Sequence, residues 1–154
     1  MKLRLIVLAL AFVFGCAAVC FADNPNMGTW KLNEKKSKIG KGAPKNTTVV
    51  YEAAGDSIKV TVDGVDGAGS PSHNEWTGKF DNKDYPVTGD ATADTRAYRK
   101  VNARTLALTN KKGGKVTTTG TIVVSANGKI RTVTTRGTDA SGKRVTSTAV
   151  YDKQ

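Results

Sequence analysis

Apolar and polar residues alternate along short runs through most of the chain. In the run Ser57–Asp63, for example, Ile58, Val60 and Val62 fall on one face. Alternation with a period of two is typical of a β-strand with one buried face. The ten predicted strands are Gly28–Asn33, Thr47–Ala54, Ser57–Asp63, Ser72–Phe80, Asp84–Thr88, Thr95–Val101, Thr105–Asn110, Lys115–Ser125, Lys129–Gly137 and Lys143–Asp152. No stretch carries a sustained 3.6-residue apolar stripe, and the pattern predicts only a short helical turn over Glu34–Lys38.

Turn-forming residues separate most of these runs. Gly, Asn, Asp and Ser tolerate a positive φ or form local side-chain turns, so pairs of them mark strand ends. The pairs are Gly55-Asp56, Asp81-Asn82, Asn102-Ala103, Gly113-Gly114, Asn127-Gly128 and Ser141-Gly142. Short strands joined by such turns predict an antiparallel up-and-down meander.

The alternation also assigns side chains to shared faces. The predicted sets are Trp76, Gly78 and Phe80; Leu106 and Leu108; Val116, Thr118, Gly120, Ile122 and Val124; and Val145, Ser147, Ala149 and Tyr151. The opposite faces carry lysines, arginines and many threonines. Threonine suits such a face because its branched Cβ favours strands while its hydroxyl is well solvated.

A meander of ten strands leaves two unpaired edges unless it closes, so the sequence predicts an all-β barrel. Leu, Ile, Val and Phe together number only 21 among the 132 residues from position 23 onward. Eight strands already enclose an interior that can hold one small ligand, and ten leave more space. We therefore expect a barrel with a partly polar interior.

The N-terminal segment is predicted to be a secretory signal peptide. Lys2 and Arg4 precede an apolar run, and small residues lead up to a cleavage site after Ala22. This divides the chain into a signal peptide, residues 1–22, and one barrel domain, residues 23–154, that is secreted or periplasmic and free of cysteine. Two alternatives stay open: an uncleaved membrane anchor, and a lipid anchor through Cys16, although the bulky Phe14 departs from the usual lipoprotein box.

The two ends of the predicted barrel resemble the calycins, the lipocalins and fatty-acid-binding proteins. The opening strand Gly28–Asn33 reads GTWKLN and resembles the Gly-x-Trp strand of that group. The closing residues 148–154, TAVYDKQ, resemble the last strand of the fatty-acid-binding proteins, which typically reads Thr-Arg-x-Tyr-Glu-Lys. The resemblance implies a calycin-like barrel with a ligand cavity.

The chain departs from the fatty-acid-binding proteins in two respects. Only thirteen residues, 34 to 46, separate the first two strands, which is too few for that family's helix-turn-helix lid. The family holds a fatty-acid carboxylate with an interior Arg and Tyr of the last strand; Tyr151 matches the Tyr, but Ala149 stands at the Arg position. We therefore expect no carboxylate clamp, and weaker binding of a fatty acid than of a neutral apolar ligand. A preference for the acid would require another inward arginine, such as Arg99 or Arg136.

Four aromatic residues are candidates for lining the cavity: Trp30, Trp76, Tyr98 and Tyr151. The alternative is that they only pack the core, because aromatic rings supply large buried area in a chain short of aliphatic residues. The single histidine, His73, has no cysteine partner in the predicted mature chain, so the sequence favours neither a catalytic triad nor a zinc site. We expect no catalytic residues, no metal and no cofactor, and hence no enzyme.

Without Lys2 and Arg4 the chain keeps 22 Lys and Arg against 13 Asp and Glu, a net charge of +9. The densest basic run lies in the predicted first loop and comprises Lys35, Lys36, Lys38, Lys41 and Lys45. These lysines could contact an anionic envelope surface. Surface aromatics interleaved with the basic residues, as in single-strand nucleic-acid platforms, are not evident, so no specific nucleic-acid partner is expected.

Two functions are consistent with these features. The first is an exported, monomeric calycin-like protein that binds a small hydrophobic or amphipathic ligand. The alternative is a structural or surface-interaction protein of the cell envelope with a filled barrel and a basic face. An open pocket of at least ~300 Å³ favours the first function.

Overall fold

The alternation along the chain becomes ten antiparallel strands in the computed structural model, which describes residues 24–139 and 141–154. The strands are β1 (Gly28–Leu32), β2 (Lys45–Ala54), β3 (Ser57–Val65), β4 (Pro71–Gly78), β5 (Tyr85–Thr88), β6 (Thr95–Asn102), β7 (Thr105–Lys112), β8 (Lys115–Val124), β9 (Ile130–Thr138) and β10 (Arg144–Lys153). The predicted signal peptide, the alternative of a lipid anchor at Cys16 and the predicted first mature residue, Asp23, lie outside the described residues.

Each strand pairs with its neighbours in sequence, and β1 pairs with β10, so the sheet closes into a barrel. The predicted all-β, ten-stranded up-and-down barrel is confirmed. We call the end of the barrel at which β1 starts and β10 finishes the bottom, and the opposite end the top. The pairing is thinnest around β5, which has two registered pairs with β4 and two with β6.

Inward-facing residues of the predicted sets form the core. Ile58, Val60 and Val62 of β3 are buried, as are Ala149 and Tyr151 of β10. Glycine and asparagine residues stand at the turns, and Asn82 adopts a positive φ of 68°. The local sequence therefore agrees with the global fold at most strands and turns.

One predicted face is partly wrong. Val116 was placed with Ile122 and Val124 inside the barrel, but its side chain is 57% exposed. The register between β7 and β8 shifts at this point: Asn110 pairs with Thr118, whereas Lys111 pairs with Val116. Thr117 is thus an extra residue in a β-bulge, and a shift by one residue reverses the face of every side chain beyond it.

The first connection differs from the prediction in its helical turn and in where β2 begins. The helical turn expected over Glu34–Lys38 is a 3₁₀ turn, Glu34–Lys36, and the Asn33 side chain accepts a hydrogen bond from the Lys36 backbone N–H at 3.2 Å. Lys45, which was assigned to the first loop, is the first residue of β2 and pairs with Glu34 at 3.1 Å. In the part of the chain that the structure describes, no helix is long and apolar enough to cross a membrane.

Candidate ligand site in the barrel interior

The four aromatic residues singled out in the sequence are all inside the barrel. Trp30, Trp76, Tyr98 and Tyr151 are each at most 3% exposed. The structure brings Trp76 and Tyr98 together, with ring centroids 4.7 Å apart at 78°. Trp30 and Tyr151 lie elsewhere in the interior, so the four do not form one cluster of mutual ring contacts.

Trp76 is the centre of an aromatic cluster. Its ring also contacts Phe80, stacked at 6.3 Å, and Tyr85, edge-on at 5.7 Å. Its indole N–H donates a hydrogen bond to the Arg96 carbonyl at 2.9 Å, which satisfies the one polar atom of the ring. Gly78 makes room for this packing, because a Cβ there would lie 2.5 Å from the Tyr85 ring.

Trp30 occupies the bottom of the barrel. Its indole N–H donates to the Asn26 carbonyl at 2.8 Å, and the Lys153 ammonium lies 5.2 Å from its ring centroid. The side chain is fully buried. Trp30 is therefore held at the bottom end of the barrel by Asn26 and Lys153, apart from the Trp76–Tyr98 pair.

A buried arginine, Arg131 of β9, lies in the interior beside two tyrosines. It is 3% exposed, and β9 places it directly opposite Tyr151 of β10. Its Nη2 donates a hydrogen bond to the Tyr51 hydroxyl at 2.6 Å. The guanidinium carbon lies 5.0 Å from the centroid of the Tyr51 ring and 5.3 Å from that of Tyr151.

The remaining donors of this guanidinium are not used. Among the described residues, neither Nε nor Nη1 of Arg131 has a hydrogen-bond partner. Buried donors without an acceptor are costly, because they have lost their hydration and gained no hydrogen bond in its place. Arg131 thus keeps N–H groups on Nε and on Nη1, each of which can donate to an oxygen of a carboxylate or phosphate.

A second buried arginine, Arg96, differs from Arg131 in its hydrogen bonding. Arg96 of β6 is 6% exposed, and each of its three nitrogens has an acceptor. Nε donates to Asn110 at 2.9 Å, Nη1 to Asn74 at 3.2 Å and Nη2 to Asp90 at 3.0 Å. Arg96 is therefore part of a closed hydrogen-bond network, whereas Arg131 is not.

The two tyrosines beside Arg131 are neutral. Burial raises the pKa of Tyr51 well above its ordinary value, against the opposing effect of the Arg131 charge. Burial likewise raises the pKa of Tyr151, whose hydroxyl donates to the Asn46 carbonyl at 3.1 Å. Because neither tyrosine ionises at physiological pH, neither neutralises the guanidinium.

Position 149 carries no arginine, as the sequence shows, but the interior contains a guanidinium that was not expected. Ala149 does face inward without a guanidinium, but Arg131 supplies one from the neighbouring strand. Arg99 and Arg136, the arginines considered as substitutes, are both exposed. The helical lid is absent between β1 and β2, as expected, since that connection holds a single 3₁₀ turn.

The sequence analysis did not identify the buried Arg131 and Tyr51, and it placed Phe80 on the face of Trp76 without assigning it to the site. A signal for the first was present: along β9, Arg131 alternates in step with Val133, which packs against the core. Arginine was treated as a surface residue, and this assumption outweighed the alternation. Tyr51 likewise shares its face with the buried Val49.

An open cleft of about 330 Å³ lies at the bottom of the barrel. Its apolar lining comes from Ile58, Phe80 and Leu106, and Lys79 and Lys100 stand among its polar residues. Phe80 also contacts the Tyr51 ring, with centroids 6.5 Å apart. A continuous series of contacts therefore leads from the cleft through Phe80 and Tyr51 to Arg131.

His73 lies on the exposed outer side of β4. Its Nδ1 is 2.6 Å from the Asp63 carboxylate, and this hydrogen bond raises the pKa of His73 above its ordinary value. Within residues 24–139 and 141–154, no three His, Cys, Asp or Glu side chains are grouped so as to hold a metal ion.

No protein-family model matches the chain, and a search of curated proteins finds no match. Solved barrels do resemble it. One, described as EF1p2_mFAP2b bound to DFHBI, gives a TM-score of 0.50 at 10% identity, over 84% of this chain and 94% of that chain. Another, described as a redesigned beta barrel, mFAP1, bound to DFHBI, gives 0.44 at 15% identity, over 86% and 98%. At such low identity the first likeness supports the closed barrel fold alone.

Proposed function

We propose that this chain is an exported, calycin-like barrel that binds a small amphipathic ligand through its acidic group. The observation that carries the proposal is Arg131, a guanidinium that is buried beside two tyrosines and has two donor nitrogens without an acceptor among the described residues. A carboxylate placed there would form charge-assisted hydrogen bonds in a low-dielectric interior, where they are strongest.

The aromatic side chains provide the surroundings for the apolar part of the ligand. Small-molecule sites are mostly apolar, with a few polar groups that fix the orientation. The bottom cleft, with Ile58, Phe80 and Leu106, is of the size such sites have and contacts the arginine site through Phe80 and Tyr51. A barrel of the same fold, EF1p2_mFAP2b, is described as bound to DFHBI, which is in keeping with ligand binding here.

Export is supported by the basic, apolar and small-residue segments of residues 1–22. We expect the exported protein to begin at Asp23. N-terminal sequencing or intact-mass measurement of the protein released by its host tests this. A lipid on Cys16 or an intact Met1 would contradict it.

The ligand class is tested with a fluorescent fatty acid and its methyl ester, titrated into the same protein. The acid is expected to bind roughly tenfold or more tightly than the ester, because a hydrogen bond to a charged group contributes about 1.5–3 kcal/mol. In Arg131→Gln the acid should lose this advantage, while the ester should bind as before.

Arg99→Gln is the matched control, since it removes the same charge from an exposed arginine of β6. It should leave both affinities unchanged. Equal binding of acid and ester to the unaltered protein would refute the acidic ligand but keep a ligand-binding barrel. If neither probe binds, the small-ligand function fails and the filled, surface-interacting barrel becomes the better account.

A further inference from the structure

Charge is divided unevenly around the barrel. Residues 46–94, which contain nearly all of β2 and the whole of β3 to β5, carry nine acidic residues and three lysines, a net charge of −6. The remaining described residues carry nineteen basic and three acidic residues, a net charge of +16. Because the strands follow one another around the barrel, these become an acidic sector and a basic sector.

The basic sector is densest at the top of the barrel. There the first loop, the β7–β8 hairpin and the β9–β10 hairpin contribute nine exposed basic residues, which we call the basic arc. The arc consists of Lys35, Lys36, Lys38, Lys41, Lys112, Lys115, Arg136, Lys143 and Arg144. Among the described residues none of the nine has an ion-pair partner, whereas Lys45, Lys59, Lys79, Lys83 and Lys111 all have one.

Backbone pairing holds the parts of the basic arc together. Lys38 and Thr148 of β10 exchange two backbone hydrogen bonds, at 2.7 and 2.8 Å. The Gly40 N–H donates to the Ser147 hydroxyl at 3.0 Å. The first loop is thereby fixed against β10, and Lys41 lines the same groove as Lys143 and Arg144.

A groove of about 460 Å³ runs between these two parts. One wall is the loop segment from Gly40 to Gly42, with Lys41, and the other is the β9–β10 hairpin, with Lys143 and Arg144. The one acidic residue lining it is Asp139, whose Oδ1 accepts hydrogen bonds from the backbone N–H groups of Ser141 and Lys143. Cationic side chains therefore stand on both walls.

We propose that this groove binds a linear polyanion without bases, such as a phosphate-bearing chain, by charge alone. A flexible chain can lie between two cationic walls and follow a convex surface, whereas a flat bilayer would touch a barrel wall only along a narrow strip. Single-strand nucleic-acid platforms stack bases on exposed aromatic rings, and amphipathic membrane anchors insert apolar side chains such as Trp and Phe. Every Trp, Tyr and Phe in the described part of the chain is buried or half-buried.

The groove does not include any residue of the Arg131 site, so polyanion binding and binding of the interior ligand can be tested, and refuted, independently of each other. The test is the anisotropy of a fluorescein-labelled polyphosphate titrated with the protein at low ionic strength, where exposed charges are least screened. The variant Lys41→Gln/Arg144→Gln removes one cation from each wall. It should weaken binding about tenfold and lower the slope of log affinity against log salt by about 1.4, at about 0.7 per lost contact.

The matched control is Arg104→Gln/Lys129→Gln, which removes the same charge from two exposed residues in the turns at the bottom of the barrel. Affinity within about twofold of the unaltered protein is expected, and circular dichroism should show both variants folded. An equal loss of polyphosphate affinity in both variants would overturn the proposal, because it would show that the polyanion responds to the net charge of the whole protein and does not bind in the groove. Absence of polyphosphate binding, or at least tenfold tighter binding of a thymidine oligonucleotide of equal charge or of phosphatidylglycerol vesicles, would also overturn it.

Discussion

Replacing Arg131 by methionine is expected to stabilise the ligand-free barrel by roughly 1–3 kcal/mol, the usual cost of leaving a buried polar group unpaired. Methionine has a similar length and fills irregular space well, so the change removes the charge without leaving a large cavity. A residue that lowers stability in the absence of ligand is typical of a binding site.

The same replacement at Arg96 should have the opposite sign. Arg96→Met removes a guanidinium with three partners and leaves Asn74, Asp90 and Asn110 without their shared donor. Breaking such a buried network costs roughly 3–5 kcal/mol. The two arginines form a useful pair because residue type and burial are matched, whereas Arg96 has three acceptors including the Asp90 carboxylate and Arg131 has one, the Tyr51 hydroxyl.

Urea unfolding gives the free energy of unfolding of Arg131→Met and of Arg96→Met relative to the unaltered protein. Since Arg131→Met also removes the donor to the Tyr51 hydroxyl, the double variant Arg131→Met/Tyr51→Phe should be measured beside it. If both Arg131 variants are destabilised by more than about 1 kcal/mol, ordered water satisfies the guanidinium and Arg131 is a structural residue. The ligand proposal would then lose its main support.

Trp30→Ala is expected to destabilise the barrel by roughly 3–5 kcal/mol, the range for truncating a buried large aromatic side chain. Trp30 is fully buried, and its indole N–H donates a hydrogen bond to the Asn26 carbonyl at 2.8 Å. In a domain with a total stability of about 5–15 kcal/mol, such a loss can prevent folding.

Trp30→Phe keeps the measurement informative if the alanine variant does not fold. It retains most of the ring and loses the indole hydrogen bond, so a cost of about 1–2 kcal/mol is expected. Thermal and urea unfolding give the two values. A loss below about 1 kcal/mol for Trp30→Ala would mean that the resemblance of GTWKLN to the calycin opening strand is accidental.

The strands could be predicted because each carries its own alternating pattern and its own turn chemistry. Asn127-Gly128, for instance, gives a turn with Gly128 at a φ of 70°, between β8 and β9. These signals are local, and an up-and-down meander has mostly local pairings, so the predicted and observed strands agree closely. The closure between β1 and β10 could also be predicted, because an open meander would leave the edges of its first and last strands unpaired.

The parts that could not be predicted depend on non-local structure. The bulge at Thr117 exposes Val116, and nothing in the neighbouring sequence marks where the register shifts. Arg131 was missed for a different reason: alternation placed it inside, but burying an arginine is unfavourable unless a partner or a ligand compensates. Such a conflict between local pattern and residue type is itself a sign of a functional position.

Both ends of the described chain lie at the bottom of the barrel. Asn24 lines the bottom cleft, and the backbone N–H of Gln154 donates to the Thr29 carbonyl at 3.0 Å. A tag or sensor chip attached through the C-terminus therefore holds the protein by the end opposite to Lys41 and Arg144. Immobilised in this orientation, the molecule leaves its top groove facing the flowing solution, while the support crowds the mouth of the cleft beside Phe80. Measurements of small-molecule uptake should accordingly use protein free in solution.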